Sequence, residues 1–400
     1  MGHPPRLIIF RAPTVPRLAY NPCMVNNEPL PHPIYIDTAN ALRSLLQTLR
    51  SEKCIAVDTE SDSLYVYHEK VCLIQFSTRA ADYLVDPLSE IDVSGLGEVF
   101  ADPDIEKVFH AAEYDIICLR RDYGFEFENI FDTMQAARIL GLPKLGLSSL
   151  LEEYFQVTVD KRFQKANWGK RPLPPAMADY ARLDTHYLIP LHERLSLALQ
   201  DANKMKIARE DFLRISRSIC SENDKPLYTA VHGYHTLSPQ QLAVLAQLCH
   251  YRERVAMQAD LPPFKILSSS VLLDIARSDI SSITDLSSIS GLSEKLLHRH
   301  ARGLLDAIQQ GRSDPPIHLD RRPKPSDAYI ARLERLKKWR QHLAREKAVE
   351  SDVILPREIM EEIAKQHPSS PQQLEALMRD VPERFQQHQH AIMHILKEHS

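Results

Sequence analysis

Ile55-Ala-Val-Asp58-Thr-Glu60 is the stretch on which the reading of this chain turns. Ile55 and Val57 stand two apart, the spacing of one core-facing side of a strand. Acids then appear where a buried strand stays apolar. Asp58 and Glu60 are also two apart, so an extended backbone points both carboxylates the same way. Two like charges side by side repel, and a divalent cation is a common relief, because hard cations take oxygen ligands. A strand running out into solvent is the better explanation of an isolated Asp-x-Glu. The reading therefore depends on whether the rest of the chain brings further carboxylates to the same place.

Around this strand the pattern is that of an α/β unit, a mixed sheet with helices. Ile34 to Ile36 reads as a short strand, and Thr38 is placed to cap a helix carrying Leu42, Leu45, Leu46 and Leu49. Val71 to Ser77 and Tyr83 to Val85 read as two strands joined by a short turn, an antiparallel start to the sheet. Lys107 to His110 and Ile130 to Asp132 read as further strands, each running into a helix. From there to about Leu199 the pattern is helical, broken at Asn167 to Pro175. Residues 1–33, rich in Pro and Asn, are expected to form a poorly ordered arm. The α/β unit is expected over 34–200 and a linker region with a helix over 201–235.

Beyond this the chain reads as helical and repeats itself. Leu248 to Arg254 aligns with Leu336 to His342. Without a gap, Ile266-Leu267 then falls on Ile354-Leu355, Ile275-Ala276 on Ile363-Ala364, Leu286 on Leu374 and Leu304 on Ile392. One helical fold used twice is expected, over 236–312 and 326–400, joined by a proline-rich linker at 313–325.

Four hundred residues with a net charge of −4 are too many for one ordinary domain and do not suggest a broadly basic nucleic-acid binder. No apolar run reaches the roughly 20 residues of a membrane-spanning helix, and Met1 to Tyr20 lacks the apolar core of a secretion signal. The six cysteines are scattered without a Cys-x-x-Cys pair. They read as buried thiols of a reducing, cytoplasmic compartment.

More acids do appear. Asp115 lies in His110-Ala-Ala-Glu-Tyr-Asp115, near a helix start that also welcomes an acid as a cap. Tyr180 and Asp184 lie four apart, on one helix face, where they form either a hydrogen-bonded pair or a place for a water beside a metal.

In these motifs the chain resembles the DEDD superfamily of 3′-to-5′ exonucleases, in its tyrosine subgroup, and within it the ribonuclease D family. Asp58 and Glu60 match the first motif, Asp115 the second aspartate, and Tyr180 and Asp184 the Tyr-x-x-x-Asp of the third. Phe131-Asp132-Thr133 and the segment Asp160 to Leu173 match recurrent family stretches, with Asn167 standing where an acid is more usual. The two helical repeats resemble the HRDC module shared by RecQ-type helicases and ribonuclease D. The first, with Leu261-Pro-Pro-Phe-Lys-Ile-Leu267 and Gly291, is clear; the second carries Arg379 in place of that glycine.

The resemblance implies a ribonuclease H-like α/β exonuclease domain followed by two all-α HRDC-type domains. It implies two Mg²⁺ or Mn²⁺ ions on Asp58, Glu60, Asp115 and Asp184, with Tyr180 orienting the attacking water. Thr59, His110, Lys165, Trp168 and Arg171 are the expected substrate contacts, Trp168 by stacking on a base and the cations on phosphate; a solvated loop with Trp168 anchored in the core, and a core hydrogen bond for His110, fit the sequence equally. The expected substrate is RNA with a single-stranded 3′ end, tRNA precursors above all, cut by a monomer. The same chemistry on DNA, and an adaptor that kept the fold without the chemistry, are the alternatives. The stretch Arg321 to Lys347 is a candidate RNA patch, although interspersed acids fit a solvated helix face equally. Removal of 321–400 is expected to leave hydrolysis itself intact.

Overall fold

The computed structural model describes residues 30–219, 225–319 and 325–397. Most of the expected arm, residues 1–29, therefore lies outside the described residues, as do 220–224 and 320–324 of the two linkers. The chain divides into two compact units. The first comprises residues up to Glu60, Val71–Cys220 and Pro325–Ser400; the second comprises Ser61–Lys70 and Ser221–Lys324.

The first unit holds a six-stranded sheet of β1 (Ile34–Ile36), β2 (Cys54–Ser61), β3 (Val71–Ser77), β4 (Asp82–Val85), β5 (Glu106–Phe109) and β6 (Ile130–Asp132). Their spatial order is β1-β4-β3-β2-β5-β6, which puts the acid-bearing β2 inside the sheet. The turn at Thr78 to Ala81 makes β3 and β4 antiparallel, whereas β5 runs parallel to both β2 and β6. The expected antiparallel start is thus the β3–β4 hairpin, and the sheet is mixed.

Helices cover the sheet because their apolar residues repeat on one face. In α1 (Ala39–Ser51), capped by Thr38, the buried residues are Leu42, Leu45 and Leu49. There follow α2 (Leu96–Ala101), α3 (Glu113–Tyr123), α4 (Thr133–Leu140), α5 (Leu147–Phe155), α6 (Pro175–His186), α7 (Leu188–Asp201) and α8 (Met205–Ser216). Gly124 and Gly141 stop α3 and α4 in the left-handed conformation that glycine adopts at low cost.

The second unit carries the first helical repeat: α9 (Pro239–Ala259), α10 (Pro263–Ile266), α11 (Ser269–Arg277), α12 (Ile283–Ser287) and α13 (Glu294–Ser313). Its core also takes in Tyr67, whose backbone N–H donates to Asp260 at 3.1 Å. The excursion Ser61–Lys70, directly after the acid-bearing strand, therefore belongs with this module.

The second repeat, in the first unit, is α14 (Asp327–Glu346), α15 (Ser351–Ile354), α16 (Arg357–Gln366), α17 (Pro371–Leu377) and α18 (Pro382–Lys397). The repeat extends to some polar and ring contacts as well as to apolar positions. Arg252 donates to the Leu267 carbonyl at 3.4 Å, and Arg340, its counterpart, donates to the Leu355 carbonyl at 2.9 Å. Tyr251 meets His300 edge-on, and Trp339 meets His388 in the same way. Arg340 also pairs with Asp352 at 2.8 Å, so within the candidate RNA patch this cation is spent on the fold.

The second repeat is not a free appendage. Arg384 of α18 is fully buried. It donates to Glu210 at 2.7 Å and Asp211 at 2.8 Å, both on α8, and to the Val353 carbonyl at 3.0 Å. Val353 is a member of the exonuclease-domain core. The expectation that removing 321–400 leaves hydrolysis intact and weakens only the action on folded precursors is at odds with this packing, because Arg384 and Val353 are part of the exonuclease domain's own packing.

Candidate active site

The run Ile55-Ala56-Val57 is completely buried, which fixes β2 in the sheet and carries Asp58, Thr59 and Glu60 out to a half-buried position at its end. β5, beside it and parallel, ends at Phe109 and turns through Ala111, at a φ of 63°, into α3. Asp132 holds this turn: its carboxylate accepts the N–H groups of Ala111 at 3.3 Å and Ala112 at 2.8 Å, and caps α4 through Gln135 at 3.0 Å. Thr133 adds a bond to the Phe109 carbonyl at 3.0 Å and another to His110 Nδ1 at 2.9 Å. The Phe-Asp-Thr segment thus fixes the backbone that delivers Asp115.

Asp115 sits in the first turn of α3, where the helix dipole favours an anion. Its Oδ1 accepts the Thr59 hydroxyl at 2.5 Å and the Thr59 N–H at 3.1 Å. Thr59, expected to touch substrate, therefore ties the second motif to the first.

Tyr180 and Asp184 come from α6. Behind them Ser77 of β3 bonds Thr185 and Asp82, both at 2.7 Å, and Asp82 bonds His186 at 2.9 Å. The hairpin thereby fixes the rotation of the helix that carries the third motif. Asp58, Tyr180 and Asp184 line one cleft of about 380 Å³ together with His110, Lys161 and Gln164.

The electrostatics are those of a site short of positive charge. Burial, and then the carboxylates of Asp115, Asp184 and Glu60, hold the Asp58 carboxyl well above its ordinary range. Burial with Asp184 and Asp115 does the same to Glu60. Asp184 is pushed up to about 7 by burial and Asp115. Asp115 is also raised to about 7, by burial and against the lowering effect of its Thr59 hydrogen bonds. Burial and the three carboxylates Asp184, Glu60 and Asp58 raise the Tyr180 phenol. Tyr180 is thus kept protonated, suited to orient a water but not to take its proton unaided. Burial lowers His110 to about 4, so its imidazole is neutral near pH 7.

Four convergent oxygen donors, each resisting ionisation, fit hard divalent cations, whose charge would relieve the repulsion. Asp58, Glu60, Asp115 and Asp184 are the residues that would hold them.

The other expected contacts divide. His110 lines the cleft, and Lys161 does so where Lys165 was expected. Trp168 is 1% exposed and packs 6.1 Å from the Tyr180 ring. It supports the phenol from behind and is not available to stack on a base. Arg171 gives its guanidinium to both oxygens of Asp86, at 2.5 and 2.6 Å, and to the carbonyls of Cys72 and Trp168. It braces the loop and does not reach for phosphate. The basic cluster around Trp168 marks the right loop, but only the bonds of Arg171 to Asp86 separate it from Lys161. Asn167 caps its own turn by accepting the Gly169 N–H at 3.1 Å, a role open equally to the acid more usual there.

With this geometry in place, the comparisons with known proteins are consistent. Residues 33–200 match the 3′-5′ exonuclease family, and residues 241–308 and 330–396 each match the HRDC domain. The class is therefore that of a 3′-5′ exonuclease domain joined to paired HRDC modules. The chain is 30% identical to the crystallised catalytic core of RRP6 from Trypanosoma brucei, with a TM-score of 0.62 over 70% of this chain and 79% of that one. It is 25% identical to Escherichia coli RNase D, described as an exoribonuclease involved in structured RNA processing, with a TM-score of 0.66 over 92% of this chain and 100% of that one. It is also 35% identical to Protein RRP6-like 2 of Arabidopsis thaliana, over 69% of this chain but 33% of that protein. The chain belongs to the Rrp6/ribonuclease D family of 3′-5′ exonucleases. It spans only about a third to two fifths of the length of the first curated relatives it matches.

Proposed function

We propose that this protein is a metal-dependent 3′-to-5′ exoribonuclease that removes nucleoside 5′-monophosphates from the 3′ ends of structured RNA precursors, including those of tRNA. The observation that carries the proposal is the set of four acids on three separate elements, kept together against their own repulsion. An adaptor would have no use for such a set. The RNA preference rests on relatives whose names describe exosome exonucleases and an exoribonuclease.

In this reading Asp58, Glu60, Asp115 and Asp184 hold two Mg²⁺ or Mn²⁺ ions. When bound, these supply Lewis-acid stabilisation of the phosphate and lower the pKa of the attacking water. Thr59 holds Asp115 in position through its two hydrogen bonds. The protonated Tyr180, buttressed by Trp168, donates to the water and aligns it with the terminal phosphorus. The water oxygen forms the new P–O bond and gives its proton to solvent, the bond to the 3′ oxygen breaks, and that oxygen takes a proton from solvent, so the shortened strand keeps a 3′-hydroxyl. Lys161 offers its charge to the phosphate, and neutral His110 offers a hydrogen bond to the terminal nucleotide. We place the protein in a reducing cytoplasm, consistent with Cys54, Cys72, Cys118 and Cys249 standing outside any disulfide, acting as a monomer.

Digestion of a 3′-extended tRNA precursor and its DNA counterpart tests this, with Mg²⁺, Mn²⁺ or EDTA, using wild type and Asp184→Asn. Stepwise, metal-dependent shortening of the RNA that the substitution abolishes is the expected result. Faster loss of the DNA would transfer the proposal to a DNA exonuclease. Inactivity on both with RNA still bound would favour the adaptor.

A further inference from the structure

At the other end of the acid-bearing strand lies a second group of metal-ligating side chains that the exonuclease chemistry does not use. Cys54 opens β2 and Glu106 opens β5, and the two are direct partners in the parallel register. Register partners on neighbouring strands point to the same face of a sheet, and α7 lays His192 over that face. A sulfur, a carboxylate oxygen and a ring nitrogen from these three residues all lie within 4.8 Å of one another. His192 Nε2 stands 3.0 Å from Glu106 Oε2 and 3.1 Å from Ser196 Oγ. The ring is held edge-on by Phe131, with centroids 4.4 Å apart.

The imidazole is only partly used by the protein, and the field around the cluster favours a cation. His192 Nδ1 is buried and has no hydrogen-bond partner among the described residues, so the protein leaves half of the imidazole's bonding capacity unused. The field at Cys54 is also predominantly negative: Glu106, Glu193 and Glu52 act on it against the single guanidinium of Arg79. An ion pair of Glu106 with a protonated His192 accounts for the 3.0 Å contact but not for the thiol beside it; with Nε2 as the ligand atom, Nδ1 stays idle in either case.

We propose that Cys54, Glu106 and His192 form a zinc-type metal site that ties α7 to the starts of β2 and β5, separate from the exonuclease centre. One soft sulfur, one imidazole and one carboxylate suit Zn²⁺, at bond lengths of about 2.3 Å to sulfur and 2.0–2.2 Å to nitrogen and oxygen. Tetrahedral bonds of that length put neighbouring N and O donors about 3.3 Å apart, close to the 3.0 Å observed here. Glu106 and His192 also line a cavity of about 460 Å³, which leaves a fourth position open to water or to a small ligand. Cys54 precedes Asp58 by four residues, roughly 13 Å along an extended strand, too far for the two sites to share an ion.

Cobalt spectroscopy on the whole chain tests the proposal, because thiolate coordination gives a sulfur-to-cobalt charge-transfer absorption that carboxylates cannot produce. A single equivalent of Co²⁺ should produce this band. Zn²⁺ should abolish it, and a large excess of Mg²⁺, which occupies only oxygen sites, should leave it unchanged. Cys54→Ser and His192→Gln should each remove or reshape the band while the wild-type circular dichroism is kept. Should either variant misfold, alkylation of the wild-type protein decides instead: Zn²⁺ should protect Cys54 from iodoacetamide, read by peptide mass spectrometry. Absence of the band, its survival in a folded Cys54→Ser protein, or unchanged alkylation of Cys54 under Zn²⁺ would overturn the proposal and leave an ordinary ion pair beside a thiol.

Discussion

Replacing Asp184 by Asn should make the metal-free protein more stable while it removes activity. Asp184 is held near pKa 7 by burial and by Asp115, against about 3.9 for an unfolded aspartate. A carboxyl raised in the folded state contributes stability that is intact below the unfolded value and is lost as pH climbs through the folded one. Between pH 4 and 7 the folded chain keeps a proton that the unfolded chain has released, so metal-free stability falls with rising pH. Each unit of separation is about 1.4 kcal/mol. The three-unit gap sets a ceiling of about 4 kcal/mol at pH 8, and relaxation of the neighbouring acids reduces it to on the order of 2 kcal/mol. That corresponds to a rise in Tm of roughly 4–8 °C for a unit of this size. Thermal melts of both proteins in EDTA from pH 5 to pH 8 give the answer as a difference, which cancels the opposite contribution of buried His110 and His388. The Asn protein should gain over wild type as pH rises, and Mg²⁺ or Mn²⁺ should raise the Tm of wild type more than that of the variant. Parallel pH profiles in EDTA, or an Asn protein that is the less stable at pH 8, would refute the account of four acids in conflict.

Three other substitutions have definite expectations. Arg384→Ala removes the shared partner of buried Glu210 and Asp211 and should cost about 3–5 kcal/mol, measured by urea unfolding; a loss below about 1 kcal/mol would mean that α18 is not locked to α8. Thr59→Val deletes the hydroxyl bond to Asp115 while keeping the strand residue β-branched. It should weaken the metal dependence of activity about 10–100-fold without lowering Tm by more than a degree or two, and an unchanged Mn²⁺ titration would count against it. Arg171→Ala should lower Tm through the lost Asp86 bridge and leave KM for a short RNA within about twofold; a large rise in KM with unchanged Tm would restore Arg171 as a phosphate contact.

The parts of the site that follow from spacing were legible before any coordinates. Asp58 with Glu60, and Tyr180 with Asp184, are set by strand and helix periods; Asp58, Tyr180 and Asp184 line one cleft, and Glu60 feels the charge of Asp184. Asp115 needed more, because its place depends on a turn held by Asp132 from another strand. The Phe-Asp-Thr segment was noticed, but its sequence does not say what it bonds. The loop at Lys161 to Arg171 was the least legible part. Cations and an aromatic in a loop look alike whether they face a phosphate or a core, and long-range partners such as Asp86 decide between these. The helical repeat was readable down to Arg252 and Arg340 because both perform the same local task. What the repeat could not show is that its second copy packs with the exonuclease domain through Arg384, whose aligned position in the first copy is Leu296.

That lock has a consequence for the order in which the molecule is made. Glu210 and Asp211 leave the ribosome roughly 170 residues before Arg384, an interval of about 10–35 s at ordinary elongation rates. Throughout it the sheet and the four acids are already complete, and the two carboxylates on α8 remain hydrated at no cost. Only the arrival of α18 converts them into a buried ion pair. The last helix of the described chain therefore acts as a late closure: a polypeptide that ends before Arg384 carries every catalytic acid, but it lacks the guanidinium that joins Glu210 and Asp211 to the Val353 carbonyl.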